Sequence, residues 1–287
     1  MTSDLLHDPA ETLPPRTLVD GVDVVGSLSP SRAADFMSCP LKYRFRVVDR
    51  LPEAPSPAAV RGTVVHTVLE RLFDAPAHGR TLDAALRLVQ PEWDALLTAE
   101  PDLAAMFDGA ESPLELTSWL EQCRSLLRTY FELEDPCRLE PAERELYVEH
   151  VLDCKLLLRG YVDRLDVNAA GAVRVVDYKT GRSPSELFEA KALFQMKFYA
   201  LVLWRTLGTM PALLQLVYLG NGEILRYVPD EPDLLATQRK IEALWAAIDR
   251  ATRTGKWLPR KGALCAWCDH QALCPEWGGT PPPLPVG

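Results

Sequence analysis

The sequence has little of what marks membrane, fibrous or disulfide-stapled proteins. Its 287 residues contain seven cysteines and five histidines, and aromatic residues make up only 8%. Seven cysteines are too few for a disulfide scaffold of this length, and an odd number cannot pair completely. The most apolar runs, residues 199–204 and 212–214, are far shorter than the roughly 20 residues that span a bilayer. We therefore expect no membrane segment and no disulfide framework.

The sequence also lacks an excess of basic residues. It has 31 Lys and Arg against 40 Asp and Glu, a formal net charge of −9, which taken alone disfavours a polyanionic partner. The first 15 residues carry acids and prolines and no apolar core of signal-peptide length, so a cytoplasmic protein is expected. With 47% hydrophobic and 25% charged residues, the composition is that of an ordinary globular protein.

The pattern along the chain predicts an α/β fold with a mixed core. Residues 1–26 and the Pro-rich residues 276–287 are expected to be flexible flanks, with one domain over residues 27–275 between them. Ser29 and Pro30 begin a helix that is predicted to run through Tyr43. Further helices are predicted over residues 58–73, 186–207 and 232–255, with a helical insertion over residues 81–133 interrupted by Pro91, Pro101 and Pro113. Strands are predicted over residues 145–151, 155–167, 172–179, 213–219 and 223–228.

Charged residues gather where two of these strands end. Asp177 and Lys179 are two apart on one strand and so share a face, and the neighbouring strand can bring Asp163 alongside. Two carboxylates and an ammonium suit a divalent cation with a charge-stabilising lysine. Solvated strand-end charges are the alternative. On the following helix, Gln195 and Tyr199 are four apart and can face the same place.

The order of these motifs resembles a known family. The matching residues are Ser31, Cys39-Pro40, Tyr43, Gly62-Thr63, His66, Gly160-Tyr161-Val162-Asp163, Asp177-Tyr178-Lys179-Thr180-Gly181, Gln195, Tyr199 and a terminal cysteine trio. This order is similar to that of the RecB-type exonucleases of the PD-(D/E)xK superfamily, including the small CRISPR-adaptation nucleases with an iron–sulfur cluster. The resemblance covers residues 27 to 275. It implies a restriction-endonuclease-like core, a mixed central sheet flanked by helices, and Mg²⁺- or Mn²⁺-dependent hydrolysis of DNA.

The resemblance also implies roles for individual residues. Asp163 and Asp177 would ligate Mg²⁺ or Mn²⁺, with His66 as an additional ligand. Lys179 would orient or help deprotonate the attacking water and stabilise charge in the transition state. Gln195 and Tyr199 would position the nucleic-acid backbone or the lysine. Glu145 is a further acidic candidate, although a solvated strand charge is the simpler interpretation.

The C-terminal cysteines have the spacing of metal ligands. Cys265, Cys268 and Cys274 follow a C-x2-C-x5-C pattern, which is typical of loops that wrap a metal or an iron–sulfur cluster. By resemblance, these three and Cys39 would hold a [4Fe–4S] cluster that ties the two ends of the domain together. Zn²⁺ is the alternative, and His270 could then replace one thiolate. The remaining Cys123, Cys137 and Cys154 are predicted to be packing residues.

These observations favour a metal-dependent DNA exonuclease that acts on single-stranded ends in repair or recombination. Its low basic content predicts modest affinity for DNA and recruitment by a helicase or repair partner. A basic run from residue 32 to 50, together with Tyr43, Arg61 and Arg182, offers candidate DNA contacts. Two other functions remain open: a catalytically silent DNA-binding subunit of a helicase–nuclease complex, and an iron–sulfur redox sensor.

Overall fold

A computed structural model describes residues 18–19, 21–107, 112–184 and 189–285. The strands are β1 Leu18–Val19, β2 Val22–Asp23, β3 Gly26–Leu28, β4 Glu143–Val151, β5 Leu156–Val167, β6 Val173–Lys179, β7 Leu213–Tyr218 and β8 Glu223–Tyr227. The α-helices are α1 Pro30–Ser38, α2 Pro40–Tyr43, α3 Pro57–Leu72, α4 Leu82–Ala99, α5 Ser112–Leu133, α6 Glu189–Leu207 and α7 Glu231–Thr254. Within these residues, no helix combines the length and the apolar character needed to cross a bilayer.

A mixed six-stranded sheet forms the centre of the fold. The long strand β5 pairs with β4 along one side and with β3 and then β6 along the other, and β7 and β8 continue the sheet beyond β6. The β3–β5 and β6–β7 pairs are parallel and the others antiparallel. This arrangement confirms the predicted mixed α/β core, with most strand boundaries displaced by only one or two residues.

Helices cover both faces of the sheet and give the protein two hydrophobic cores. One core packs α1, α2, α6 and α7 against alternate residues of the sheet such as Val175 and Leu214. The other packs α3, α4 and α5 against the intervening residues, including Val176 and Tyr178. Because successive strand residues point to opposite faces, β6 contributes to both cores. The predicted helical insertion therefore forms most of one layer of the domain.

Two of the predicted helical boundaries differ from the structure. The helix from Ser29 does not run unbroken to Tyr43, because Cys39 is extended, with φ −157° and ψ 113°. The residue before a proline avoids the helical region, and Pro40 then begins α2. Pro91, in contrast, does not interrupt α4. Both Pro91 and Arg87, whose carbonyl loses its helical donor, are exposed, so water can satisfy that carbonyl.

The Pro-rich C-terminal segment contacts the N-terminal part of the domain. The guanidinium of Arg44, which is buried, donates from Nη2 to the carbonyl of Pro282.

Gly255 ends α7 in the left-handed region, at φ 67°, where glycine carries no steric penalty. Of the predicted 186–207 helix, the described part begins at Glu189, and residues 185–188 lie outside the described residues.

Candidate active site

The ladder between β5 and β6 stops at the candidate carboxylates. Its last backbone pair in this direction is Arg164 with Val176, so Asp163 and Asp177 occupy the next facing positions without a backbone pair. Instead, the N–H of Tyr178 donates a 2.7 Å hydrogen bond to Oδ2 of Asp163. Since β6 stays paired with β7 as far as Lys179, the strands separate on the β5 side only. The separation leaves an open end between the two aspartates.

His66 reaches this opening from α3. Its Nε2 lies 2.9 Å from the carbonyl oxygen of Tyr178, and its Nδ1 lies 3.5 Å from Oδ2 of Asp163. A carbonyl only accepts hydrogen bonds, so Nε2 carries the proton in this contact and Nδ1 is the ring nitrogen that faces Asp163. A metal-binding histidine uses one ring nitrogen as the ligand and donates from the other to a partner such as a backbone carbonyl.

Glu145 completes the cluster from β4. It faces Asp163 across the β4–β5 ladder, between the pairs of Arg144 with Arg164 and Leu146 with Val162. One ligand atom each from His66, Glu145 and Asp163 lie within 4.8 Å of one another, and among the described residues this is the one such group of three or more. Glu145 is half-buried and has φ 45°. Glu145 therefore lies beside His66 and Asp163, and its role as a further acidic participant stays a prediction.

The φ of Glu145 coincides with a break in strand alternation. Val162 and Leu165 pack in the same core although they are three positions apart on β5, whereas a regular strand would place them on opposite faces. The left-handed backbone at Glu145 is sparsely populated by residues with a Cβ and tends to occur at functional sites. Because of this irregularity, strand alternation could not predict that Glu145 lies beside His66 and Asp163.

Asp177, Lys179 and Gln195 form a second, connected group. Nζ of Lys179 lies 2.7 Å from Oδ2 of Asp177 and donates a 2.8 Å hydrogen bond to Oε1 of Gln195. Nε2 of Gln195 donates to Oδ1 of Asp177 at 3.0 Å and to the hydroxyl of Tyr199 at 3.2 Å. The expectations from strand alternation and from i, i+4 helix spacing are both met here, because Asp177, Lys179 and Gln195 contact one another and Gln195 also contacts Tyr199.

A glycine makes room for this arrangement. A Cβ added to Gly160 on β5 would stand 2.6 Å from Cε1 of Tyr199, which is closer than two carbon atoms can approach. The surroundings of Gly62 are more open, because an added Cβ there would meet only Oγ1 of Thr180, at an ordinary 3.6 Å. Gly160 therefore belongs to the framework of the site, and Gly62 does not need to be glycine for contact reasons.

The charges within the site influence one another. Burial, reinforced by the neighbouring carboxylate of Asp177, raises the pKa of Asp163 to about 6. Burial alone would lower the pKa of Lys179, but the carboxylates of Asp177 and Asp163 outweigh this and raise it above its usual value. Lys179 is therefore protonated at neutral pH. Asp163 holds its proton more tightly than an ordinary aspartate, as expected of a carboxylate that shares a buried place with another.

The four candidate cluster cysteines line one cavity. Cys39, Cys265, Cys268 and Cys274 surround a space of about 230 Å³ between α2 and the C-terminal segment. Backbone N–H groups donate to two of the sulfur atoms, from Arg260 to Cys39 at 3.3 Å and from Gly262 to Cys265 at 3.4 Å. Among the described residues, the thiols do not reach the mutual 4.8 Å found for the His66 group.

Of the three remaining cysteines one is buried and two are exposed, and His270 contacts a carboxylate. Cys123 is buried as expected, and burial raises the pKa of its thiol to about 12. Cys137 and Cys154 are exposed, so the prediction that they are packing residues is wrong. His270 lines the cysteine cavity, but its Nε2 lies 2.9 Å from a carboxylate oxygen of Glu53. That nitrogen is engaged in a contact between the two ends of the domain.

Most of the predicted DNA contacts in the basic run are engaged inside the protein. Arg44 pairs with Asp49, and Arg46 and Lys42 both pair with Asp35. Tyr43 is buried and stacks on Trp257, with ring centroids 5.9 Å apart. Tyr43 therefore cannot offer a face to a base. Arg182 is exposed, whereas Arg61 donates a 2.6 Å hydrogen bond to Gln122.

A family model describes this combination of sheet and charged strand ends. Residues 27–275 match the model of the PD-(D/E)XK nuclease superfamily. The chain belongs to the PD-(D/E)XK nuclease superfamily. The match spans both cores and both groups of candidate site residues. The superfamily implies a phosphodiester hydrolase, and the His66, Glu145 and Asp163 group is able to bind a metal ion.

Individual relatives of this PD-(D/E)XK protein are distant. The Gene 69 protein of Mycobacterium phage L5 is 23% identical over 284 residues, with 86% of this chain and 95% of the phage protein covered. The Gene 69 protein of Mycobacterium phage D29 is 27% identical over 195 residues, covering 63% and 70%. A crystal structure from Eubacterium rectale, of a protein named as a candidate exonuclease, superposes with a TM-score of 0.57 at 14% identity. It covers 85% of this chain and 87% of its own, and at that identity it shows the fold alone.

Proposed function

We propose that the protein is a metal-dependent DNA exonuclease that acts on single-stranded ends in DNA repair or recombination. The observation that carries the proposal is the meeting of Asp163, Asp177 and Lys179 at the separated ends of two strands. Solvated strand-end charges would not share a half-buried hydrogen-bond network with Gln195. Membership of the nuclease superfamily supports phosphodiester hydrolysis as the reaction.

In this proposal the acidic cluster holds Mg²⁺ or Mn²⁺. Asp163 and Asp177 would be ligands, joined by Nδ1 of His66 and by the carboxylate of Glu145. Carboxylate oxygens suit both ions, and a histidine nitrogen in the set favours Mn²⁺ over Mg²⁺. A bound divalent ion would supply Lewis-acid polarisation of the scissile phosphate.

Lys179 would stabilise the negative charge that develops on the phosphate. Its raised pKa keeps the ammonium protonated near neutral pH, which supports charge stabilisation rather than removal of a proton from water. Gln195 holds Nζ of Lys179 and a carboxylate oxygen of Asp177 at the same time. Gln195 and Tyr199 would therefore set the direction of the ammonium, and Lys179 would meet its substrate in a fixed geometry.

The charge distribution supports recruitment by a partner. The net charge is −9, and Lys42, Arg44 and Arg46 are neutralised by internal carboxylates. Little of the basic run is then left to attract a polyanion. We infer that DNA reaches the site in the cytoplasm with the help of a helicase or another repair protein.

The cysteine cavity is proposed to hold a [4Fe–4S] cluster. Four thiols line it, and backbone N–H groups point at two of the sulfur atoms, as suits thiolates carrying negative charge. In a tetrahedral zinc site the four sulfurs lie only about 3.8 Å apart, whereas among the described residues no three of these thiols lie within 4.8 Å of one another. A cluster spaces its ligands more widely because iron and sulfide lie between them. Its role would be to tie Cys39 to the C-terminal segment.

One assay tests the enzymatic proposal. End-labelled single-stranded and duplex DNA are incubated with the purified protein in Mg²⁺, Mn²⁺ or EDTA, and the products are resolved by length. We expect stepwise shortening of single strands with either ion and none in EDTA. Asp163→Ala and Lys179→Ala should abolish cleavage while Asp153→Ala, at an exposed turn before β5, retains it.

The alternatives give different results in the same assay. A silent DNA-binding subunit would bind the labelled strand without shortening it under any metal condition. Cleavage by Asp163→Ala at the wild-type rate would show that the site assignment is wrong. A redox sensor would show neither binding nor cleavage.

A further inference from the structure

Behind the two catalytic strands, a buried arginine joins the strands to the helical layer. Arg164 follows Asp163 on β5, and its side chain is only 1% exposed. Its guanidinium forms two hydrogen bonds with the carboxylate of Glu134, Nη1 to Oε2 at 2.7 Å and Nη2 to Oε1 at 3.0 Å. Such paired contacts fix the direction of both groups. Glu134 comes directly after α5, so the contact connects β5 to the insertion.

The same guanidinium contacts the residue between the other two catalytic side chains. Nη1 of Arg164 donates to the hydroxyl of Tyr178, and the guanidinium carbon lies 5.5 Å from the centre of the Tyr178 ring. Tyr178 stands between Asp177 and Lys179 and points to the opposite face of the sheet. Its ring is buried and packs edge-on against Tyr130 of α5, with centroids 5.8 Å apart.

The backbone of Tyr178 contacts two of the candidate metal ligands, Asp163 and His66. Its N–H donates to Asp163, and its carbonyl accepts from Nε2 of His66. Asp163 and His66 are therefore both oriented by one peptide segment, at the point where the β5–β6 ladder has ended. Beyond Arg164 and Val176 no backbone pair between these strands fixes their separation. The described contacts that bridge the gap there involve side chains, and Tyr178 takes part in two of them, through its backbone N–H with Asp163 and through its hydroxyl with Arg164.

We propose that Arg164 is a positioning residue that sets the spacing of the metal ligands by anchoring Tyr178. By holding the hydroxyl of Tyr178 against Glu134, it fixes the separation of β5 and β6 where the ladder no longer does so. That separation determines how closely Asp163 and His66 approach Asp177. This inference rests on the metal site of the proposed function, but it concerns the affinity of the site rather than the reaction.

Further contacts behind the sheet restrain Glu134 and Arg164. Gln215 on β7 donates to Oε1 of Glu134 at 3.0 Å, and Arg164 also pairs with Asp166 at 3.2 Å. Asp166 in turn pairs with Arg174 at 2.7 Å. Arg174 belongs to the same network but, among its described contacts, has none with Tyr178. It therefore provides a matched control for loss of an arginine from this side of the sheet.

The test measures Mn²⁺ binding without DNA. Electron paramagnetic resonance of free Mn²⁺ gives the dissociation constant for the purified full-length protein and for the variants Arg164→Met, Tyr178→Phe and Arg174→Met. Outer contacts of metal ligands typically account for about 10- to 100-fold in affinity, so we expect weakening in that range for the first two variants. Arg174→Met should bind Mn²⁺ as the wild type does.

Thermal unfolding separates positioning from general stability. A merely structural role would lower the melting temperature without changing Mn²⁺ binding in the folded protein at 20 °C. Tyr178→Phe removes a single oxygen and keeps the ring, so it decides the question if Arg164→Met fails to fold. If the two substitutions act through one contact, the double variant should bind Mn²⁺ no more weakly than Arg164→Met alone.

The outcomes distinguish this inference from the proposed function. Unchanged Mn²⁺ affinity in folded Tyr178→Phe would overturn the inference, whatever the protein does to DNA. A wild type that binds Mn²⁺ but cleaves no DNA would overturn the nuclease proposal and leave the inference to the binding data. A wild type that binds no Mn²⁺ would overturn both.

Discussion

Glu145 faces Asp163 across the β4–β5 ladder, and their carboxylates converge with His66 to within 4.8 Å. The backbone of Glu145 takes a positive φ in the middle of a strand, a conformation that persists only when its surroundings enforce it. Two facing carboxylates in a half-buried place repel each other unless a cation lies between them. The relationship thus gives the chain a group of side chains that is able to bind a metal ion, which strand alternation alone would not reveal.

Replacement of Glu145 should weaken metal binding. We expect Glu145→Gln to raise the Mn²⁺ dissociation constant at least about tenfold, because a ligand is lost rather than a contact behind it. Isothermal titration with Mn²⁺ measures the change. Glu143→Gln, two residues earlier on the same strand and exposed, is the control and should bind Mn²⁺ normally. Equal affinities for the two variants would remove Glu145 from the metal site.

Metal binding should depend on pH through Asp163. Its pKa of about 6 means that Mn²⁺ must displace a proton below that pH, so affinity should fall as pH drops through 6. Isothermal titration with Mn²⁺ between pH 5 and 8 tests this. In Asp163→Asn the dependence in this range should be much smaller, although the affinity itself is lower.

The stability of the metal-free protein should change in the opposite sense. Because the folded pKa of Asp163 lies above its ordinary value of 3.8, the folded state binds the proton more tightly than the unfolded state. Stability from this group is present at low pH and is lost as pH rises through about 4 to 6. Urea unfolding with EDTA, for wild type and Asp163→Asn, isolates the contribution. A wild-type slope that Asp163→Asn does not reduce would contradict the assignment.

Lys179 should contribute to the reaction rather than to metal binding. Removal of one group that stabilises developing charge typically lowers the rate by about 10² to 10³, and we expect that loss in kcat for Lys179→Met. Lys197→Met is a control, because Lys197 is also ion-paired, with Asp233 at 2.8 Å, but away from the site. It should cleave DNA at nearly the wild-type rate. A loss confined to KM in Lys179→Met would argue for DNA binding instead.

Two glycines should respond to alanine in opposite ways. Gly160→Ala places a Cβ against Tyr199, and overpacking of this kind costs about 1–3 kcal/mol of unfolding free energy. Gly62→Ala lies inside α3 with only an ordinary contact, so it should be neutral or stabilise by about 0.5–1 kcal/mol. Urea denaturation measures both. Combining Gly160→Ala with Tyr199→Ala should cost less than the sum of the single changes, since the clash is removed.

The cysteines should fall into two groups when replaced. Cys268→Ser is expected to abolish the visible absorbance of an anaerobic preparation and to lower its melting temperature. Cys154→Ser, at an exposed position, should change neither. Iron and sulfide analysis accompanies the spectra. A colourless wild type with one zinc per chain would contradict the cluster.

The candidate site was predictable where regular geometry governs it. Strand alternation joins Asp177 to Lys179, and helical spacing joins Gln195 to Tyr199, so these contacts follow from sequence positions alone. Glu145 was not predictable, because its left-handed backbone breaks the alternation on which the argument depends. The partners of the basic run were hidden as well, since Arg44 and Arg46 meet Asp49 and Asp35 only after the chain turns at Cys39 and Pro40.

The helical insertion illustrates a second limit. Its helical character was evident from apolar spacing, but the pattern did not show which face of the sheet it covers. That depends on the pairing of β6 with both β5 and β7, which places Val176 and Tyr178 under α4 and α5. The continuity of α4 through Pro91 was not predictable either, because it depends on whether water can reach the carbonyl of Arg87.

The contact of Arg164 with Glu134 has a consequence for shortening the protein. The sequence predicts residues 81–133 as an insertion, which would make them the first candidates for deletion in a shorter version of the protein. Deletion would remove Tyr130, which packs against the ring of Tyr178. It would also expose the ion pair of Arg164 with Glu134 to water. The segment is therefore integral to the fold, and a shortened version would need an apolar replacement for Arg164 together with a new surface over β6 and β7.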